Sequence, residues 1–186
     1  MKLAVTVLLI VCILCGCKPG DDFLDQTIDM RKTILDAECC TFQAVITADY
    51  GDVLYTFQME CIGDSTGALQ FTVTDPETIS GITGTISRER TALTFDDKVL
   101  AFPILADNQL SPVSGPWIFL NTLRSGYLTG CSREDDGFCI YIDDSFEEYP
   151  LHLEIATDLQ MHPVSAQIIW QDRRILSMDI RDFTVR

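Results

Sequence analysis

The chain has 186 residues and a formal charge of −15, from 28 acidic against 13 basic side chains. That excess argues against nucleic acid, and against direct adsorption to an anionic bilayer, because both require a cationic surface. The length suits one core rather than two domains.

At the start, Lys2 precedes an apolar run over 3–14 that leads into Leu14-Cys15-Gly16-Cys17-Lys18. Spanning a bilayer takes about 20 apolar residues, whereas a secretion signal needs an apolar core of ~7–15. The run therefore reads as a signal peptide, residues 1–16. Its end resembles the bacterial lipobox, with Leu14 at the third position before a cysteine and the small Gly16 just ahead of it. By that resemblance Cys17 is the site of lipid attachment, and 17–186 is an extracytoplasmic domain held to the membrane by its lipid anchor. Cys15 fits less well, since Leu14 would sit directly before it, and Cys12 would leave too short a run. An ordinary cleaved signal peptide and a tail-in-membrane anchor are the alternatives. Two or more acyl chains hold a protein stably where one does not, each buried carbon contributing roughly 0.8 kcal/mol.

Along the mature part, residues 21–37 place Leu24, Ile28, Ile34 and Leu35 among charges, which predicts an amphipathic helix starting near Asp21 or Asp22. Phe42, Ala44, Ile46 and Ala48 then alternate with polar or smaller residues. Tyr50-Gly51-Asp52 turns into a second alternating run over 53–62, predicting an antiparallel hairpin. Shorter strands are expected over 68–74, 79–87, 92–96 and 98–102, with Asp75-Pro76 as a break. Residues 111–125 carry Pro112 and Pro116 near their start and Trp117, Leu120, Leu123 and Arg124 at helical spacing, which predicts a helix ending at Gly126. Four more alternating strands follow, around Ile140, Leu153, Ile168 and Met178. Two strand meanders with helices only at the start and middle make an α+β fold with a large antiparallel sheet.

Five cysteines lie beyond Cys17, namely Cys39, Cys40, Cys61, Cys131 and Cys139, so they cannot all pair within one chain. Cys131 and Cys139 bracket a polar segment and could close a hairpin, while Cys61 could meet Cys39 or Cys40 across neighbouring strands. The spacing leaves this open. Neither His152 nor His162 stands at zinc-ligand spacing from a cysteine pair, and no metal or other cofactor is expected.

The succession of helix, long meander, "DPETISGITG", "LTFDD", a "LSPVSGPW" helix and a closing "AQIIWQDRRILSMDIRDF" resembles the LolA-like lipoprotein-carrier superfamily over nearly the whole mature chain. The resemblance implies a curved antiparallel sheet forming an open half-barrel, capped by two or three helices, whose hollow holds acyl chains of a lipid or lipoprotein ligand. A LolA carrier is soluble, so the tethered LolB-, LppX/LprG- and GerS-like members are the nearer comparison. The GerS-like members imply a different role, a regulatory or scaffold lipoprotein that binds a cell-envelope protein such as a peptidoglycan amidase.

Many strands with two helices leave one sheet face uncovered unless the sheet curls. The residues expected to line an apolar hollow are Phe57, Phe71, Val73, Phe95, Phe102, Trp117, Leu120 and Leu123, with Asn121 and Arg124 at the rim. The same aromatics would serve equally as a packed core.

No catalytic residue is expected. Gly63-Asp64-Ser65-Thr66-Gly67 matches the Gly-x-Ser-x-Gly elbow of serine hydrolases, but that elbow joins a strand to a helix, and strand-like sequence follows here. A glycine-rich hairpin loop accounts for it. The acidic pairs read as solvated turns, with Asp143, Asp144, Glu147 and Glu148 the place to look for a weak calcium site.

Overall fold

The computed structural model describes residues 22–186 except 50, 52, 89–90, 96–97, 102–104 and 107–108. Within those bounds the side chains of 22, 91, 93–95, 98–101, 105–106 and 109 are not described. The expected leader, Cys17 and Phe102 lie outside the described residues, as does the side chain of Phe95.

Helix α1 (Asp22–Asp36) leads into β1 (Cys39–Asp49), β2 (Leu54–Asp64), β3 (Leu69–Asp75), β4 (Thr83–Ile86), β5 (Thr91–Phe95) and β6 (Lys98–Ala101). A small hairpin, β7 (Leu105–Ala106) with β8 (Gln109–Leu110), and a 3-10 turn (Pro112–Ser114) precede helix α2 (Gly115–Ser125). The chain ends in β9 (Tyr127–Glu134), β10 (Gly137–Asp143), β11 (His152–Thr157), β12 (Pro163–Trp170) and β13 (Arg173–Val185).

Eleven strands form one antiparallel sheet in the order β6-β5-β4-β3-β2-β1-β13-β12-β11-β10-β9. The two meanders meet at its centre, where Cys39 and Arg186 exchange backbone hydrogen bonds of 3.1 and 2.9 Å. The sheet does not close. Alternation decides which face is buried: Phe42, Ala44, Ile46 and Ala48 of β1 point inward, as do Phe57, Met59 and Cys61 of β2 and Leu153 and Ile155 of β11.

Helix α2 shows how far the sheet curls. Its Leu120 packs on Gly63 of β2, where a Cβ would overlap the leucine, and its Gly115 lies against Leu176 and Met178 of β13. The same helix also packs on β10 and β12. Eleven residues of helix are about 16 Å long, whereas β2 and β10 stand five strand spacings apart, or about 24 Å along a flat sheet. The sheet must therefore wrap around the helix. This is the α+β half-barrel, with α1 and α2 on its concave side.

Proline near the N-terminus of α2 suits its first turn, where an amide proton has no helical partner. Its buried residues include Trp117, Ile118, Phe119, Leu120 and Leu123, far more than one amphipathic face, because the sheet meets it from several sides.

Candidate functional site

A cleft of about 670 Å³ opens between α1, the β11–β12 turn and the end of β13. Its floor is apolar, formed by Met30 and Ile34 of α1, Met161 of the turn, and Phe183 and Val185 of β13. Gln26, Asp29, Thr33, Gln160, His162 and Thr184 give it a polar rim. A cavity of 300–1,000 Å³ with apolar walls and few polar groups is the usual form of a small-ligand site.

Two backbone irregularities build this floor. In β13, Leu176, Met178 and Ile180 face inward, and simple alternation would carry the same parity to Asp182. Instead the register against β1 shifts between Thr41 and Gln43, with Asp182 in the left-handed region at φ 52°. This bulge inserts one residue and flips the parity, so that Phe183 and Val185 pack against the core. Phe183 then joins Phe42 and Phe119, with ring centroids 5.7 and 6.2 Å away.

The second irregularity is Met161, also left-handed at φ 65° yet buried. A long side chain in that region is strained. Asp158 holds the turn by accepting from the backbone amides of Gln160 (2.9 Å) and His162 (2.8 Å), while its other oxygen meets His162 Nδ1 at 3.1 Å. Partial burial works to raise the Asp158 pKa, but these hydrogen bonds outweigh it and hold the carboxyl below its ordinary value.

Two arginines clasp α1 to the rest. Arg31 donates to the carbonyls of Leu123 (2.8 Å) and Gly126 (2.6 Å) at the C-terminal end of α2, where a cation also suits the helix dipole. Arg124, expected at the rim, instead turns inward, because three acceptors converge on it. It donates to Ile34 O (3.2 Å), Asp64 O (2.6 Å) and Cys40 Sγ (3.5 Å). Burial raises the Cys40 pKa by more than the charge and hydrogen bond of Arg124 lower it.

Of the residues expected to line a hollow, Phe57, Phe71, Val73, Trp117, Leu120 and Leu123 are buried in the core, and none of them lines the α1 cleft. Trp117 Nε1 donates to Gly67 O at 2.9 Å, which fixes the start of α2 on the β2–β3 turn. Sequence reasoning named none of the five floor residues as ligand-facing. The signals available were a methionine before His162-Pro163 and the break in β13 parity at Asp182.

The register corrects the suggested Cys131–Cys139 disulfide. Cys131 stands opposite the inward Ile140, whereas Cys139 stands opposite Ser132 on the outer face. The two thiols are on opposite faces, and all five described cysteines are free. Ser65 sits in the turn from β2 straight into β3, where Asp64 Oδ1 accepts from the amides of Thr66 and Ala68, so no nucleophile elbow forms there. Asp143 is bound to His152 Nδ1 at 2.7 Å and Asp144 accepts from Leu151 N at 2.8 Å. Among the described residues no three His, Cys, Asp or Glu side chains converge as metal ligands, and no helix is long and apolar enough to cross a membrane.

No protein-family model and no curated protein matches this sequence. Solved structures do match in shape. A DUF1329 family protein from Desulfovibrio piger has a TM-score of 0.49 at 10 % identity, covering 87 % of this chain and 90 % of that one. A putative outer membrane lipoprotein-sorting protein domain from Vibrio parahaemolyticus scores 0.48 at 7 %, covering 87 % and 91 %. A LolA superfamily protein from Nitrosomonas europaea scores 0.43 at 8 %, covering 87 % and 93 %. The chain is similar to LolA-superfamily structures. At such low identity, no residue role passes from these proteins to this one.

Proposed function

We propose that this is a lipid-anchored extracytoplasmic lipoprotein, without enzymatic activity, that binds an acyl chain in the cleft beneath α1. In this reading residues 1–16 are the leader, Cys17 bears the anchor, and 17–186 form one binding unit. The observation that carries it is the apolar floor of Met30, Ile34, Met161, Phe183 and Val185 in a cleft of about 670 Å³. Turning Phe183 and Val185 toward this cleft takes a bulge, and placing Met161 takes a strained backbone. Such features tend to persist at sites where they serve a ligand. The residues first expected to line the hollow, Trp117, Leu120 and Leu123 with Phe57, Phe71 and Val73, are buried in the core instead.

The test is native mass spectrometry of residues 18–186 purified without detergent, followed by lipid extraction and titration with cis-parinaric acid. Binding is expected to be saturable, to weaken at least tenfold in Met30→Trp, which fills the cleft, and to be unchanged in Ile62→Trp on the outer face. An empty protein that declines every lipid, or equal binding by Met30→Trp, overturns the reading. Release of Cys17→Ser from the membrane fraction tests the anchor separately.

A further inference from the structure

The outer face carries a second feature far from the cleft. Tyr127, Phe146 and Tyr149 are 41, 82 and 59 % exposed, and the rings of Tyr127 and Phe146 lie 3.5 Å apart between centroids. Large aromatic side chains this open on one end of a molecule mark an interaction surface rather than a core. The loop that carries two of them is fixed at its base: His152 binds Asp143, and Asp144 and Leu151 exchange hydrogen bonds of 3.0 and 2.8 Å. The knob is thus presented on a rigid footing.

We propose that this aromatic knob and the adjoining edge of β9 dock a basic, extended segment of a partner protein. Charge supports the choice of partner. Tyr127 stands directly opposite Asp143 in the sheet register, and the loop sequence Asp-Asp-Ser-Phe-Glu-Glu-Tyr (143–149) has four carboxylates and no cation. A cation beside these rings gains from both the carboxylates and the ring faces. The same charges repel an anionic bilayer, which argues against a lipid surface as occupant. Geometry supports an extended segment: β9 is the last strand of the sheet, packed on by α1 but with no strand partner on its outer backbone edge among the described residues. An added strand would take main-chain hydrogen bonds there while its apolar side chains meet Tyr127 and Phe146.

The experiment uses a peptide of alternating lysine and leucine, its glutamate-for-lysine counterpart, and vesicles of phosphatidylcholine with and without phosphatidylglycerol. The lysine peptide should bind and protect the amides of 127–134 from hydrogen exchange. Phe146→Ala, which empties no core, should weaken it at least tenfold, and Glu147→Gln with Glu148→Gln should flatten its dependence on salt. The proposal is overturned if the glutamate peptide binds equally, if protection appears away from β9, or if Phe146→Ala changes nothing. Vesicle binding that depends on Phe146 would replace the protein partner with a membrane and likewise overturn it.

Discussion

Arg124 touches α1, β1 and β2 at once, so its loss is felt at three elements. Arg124→Met would leave the Ile34 and Asp64 carbonyls without their charged donor, and charge-assisted bonds of this kind are each worth about 1.5–3 kcal/mol. A loss of about 3 kcal/mol is expected in urea unfolding. Lysine should restore little of it, since one ammonium cannot reach three spread acceptors. Thr122 is the opposite case. Its buried hydroxyl is the only such side-chain polar atom without a partner among the described residues, so Thr122→Val should raise stability by up to about 1 kcal/mol. Asp64 and Asp158 are each expected to contribute to acid sensitivity. For each, partial burial alone would raise the pKa, but hydrogen bonds from the surrounding turn prevail and hold it below the ordinary value. A carboxyl lowered on folding contributes stability above its unfolded pKa of about 3.9 and loses that contribution as pH falls through the folded value. Asp64→Asn and Asp158→Asn should therefore melt earlier than the parent at pH 7, with the gap closing toward pH 2. A gap that stays constant with pH would exclude this account.

Among the elements, the β13 bulge invites the sharpest test. Asp182 accepts the left-handed backbone more readily than most residues, and a β-branched side chain does not. Asp182→Gly should leave both fold and cleft intact. Asp182→Val should cost about 1–2 kcal/mol and reduce acyl-probe binding, because relaxing the bulge would turn Phe183 and Val185 outward. What could be read from the sequence follows the same logic. The β1–β2 hairpin and the helix over 111–125 were visible because burial on one side writes a clear period into β1 and β2, and proline and glycine punctuate the helix. Strand β9 went unread as a separate strand, since an edge strand with little burial has no need to alternate. Phe183 was hidden because the bulge changes parity within a single strand, and Met161 because its burial depends on a turn knotted by Asp158. Helix α1 was predicted from Leu24, Ile28, Ile34 and Leu35, yet Leu24, Ile28 and Leu35 are exposed and its inner face is Phe23, Thr27, Met30 and Ile34.

At the scale of the molecule, an open curved sheet needs something on its concave side, and here α2 supplies a packed filling while α1 leaves a gap. The two helices therefore differ in place: α2 completes the core, and α1 borders the cleft. That border depends on Arg31 and Arg124, which between them reach four main-chain oxygens, those of Leu123, Gly126, Ile34 and Asp64. In a chain with 28 acidic side chains, neither arginine relies on a carboxylate for the clasp. Peptide oxygens are present whatever residue occupies a position and cannot be protonated away in mild acid. The attachment of α1 should thus withstand a fall in pH that would dissolve an ion pair, whereas loss of either arginine should loosen it.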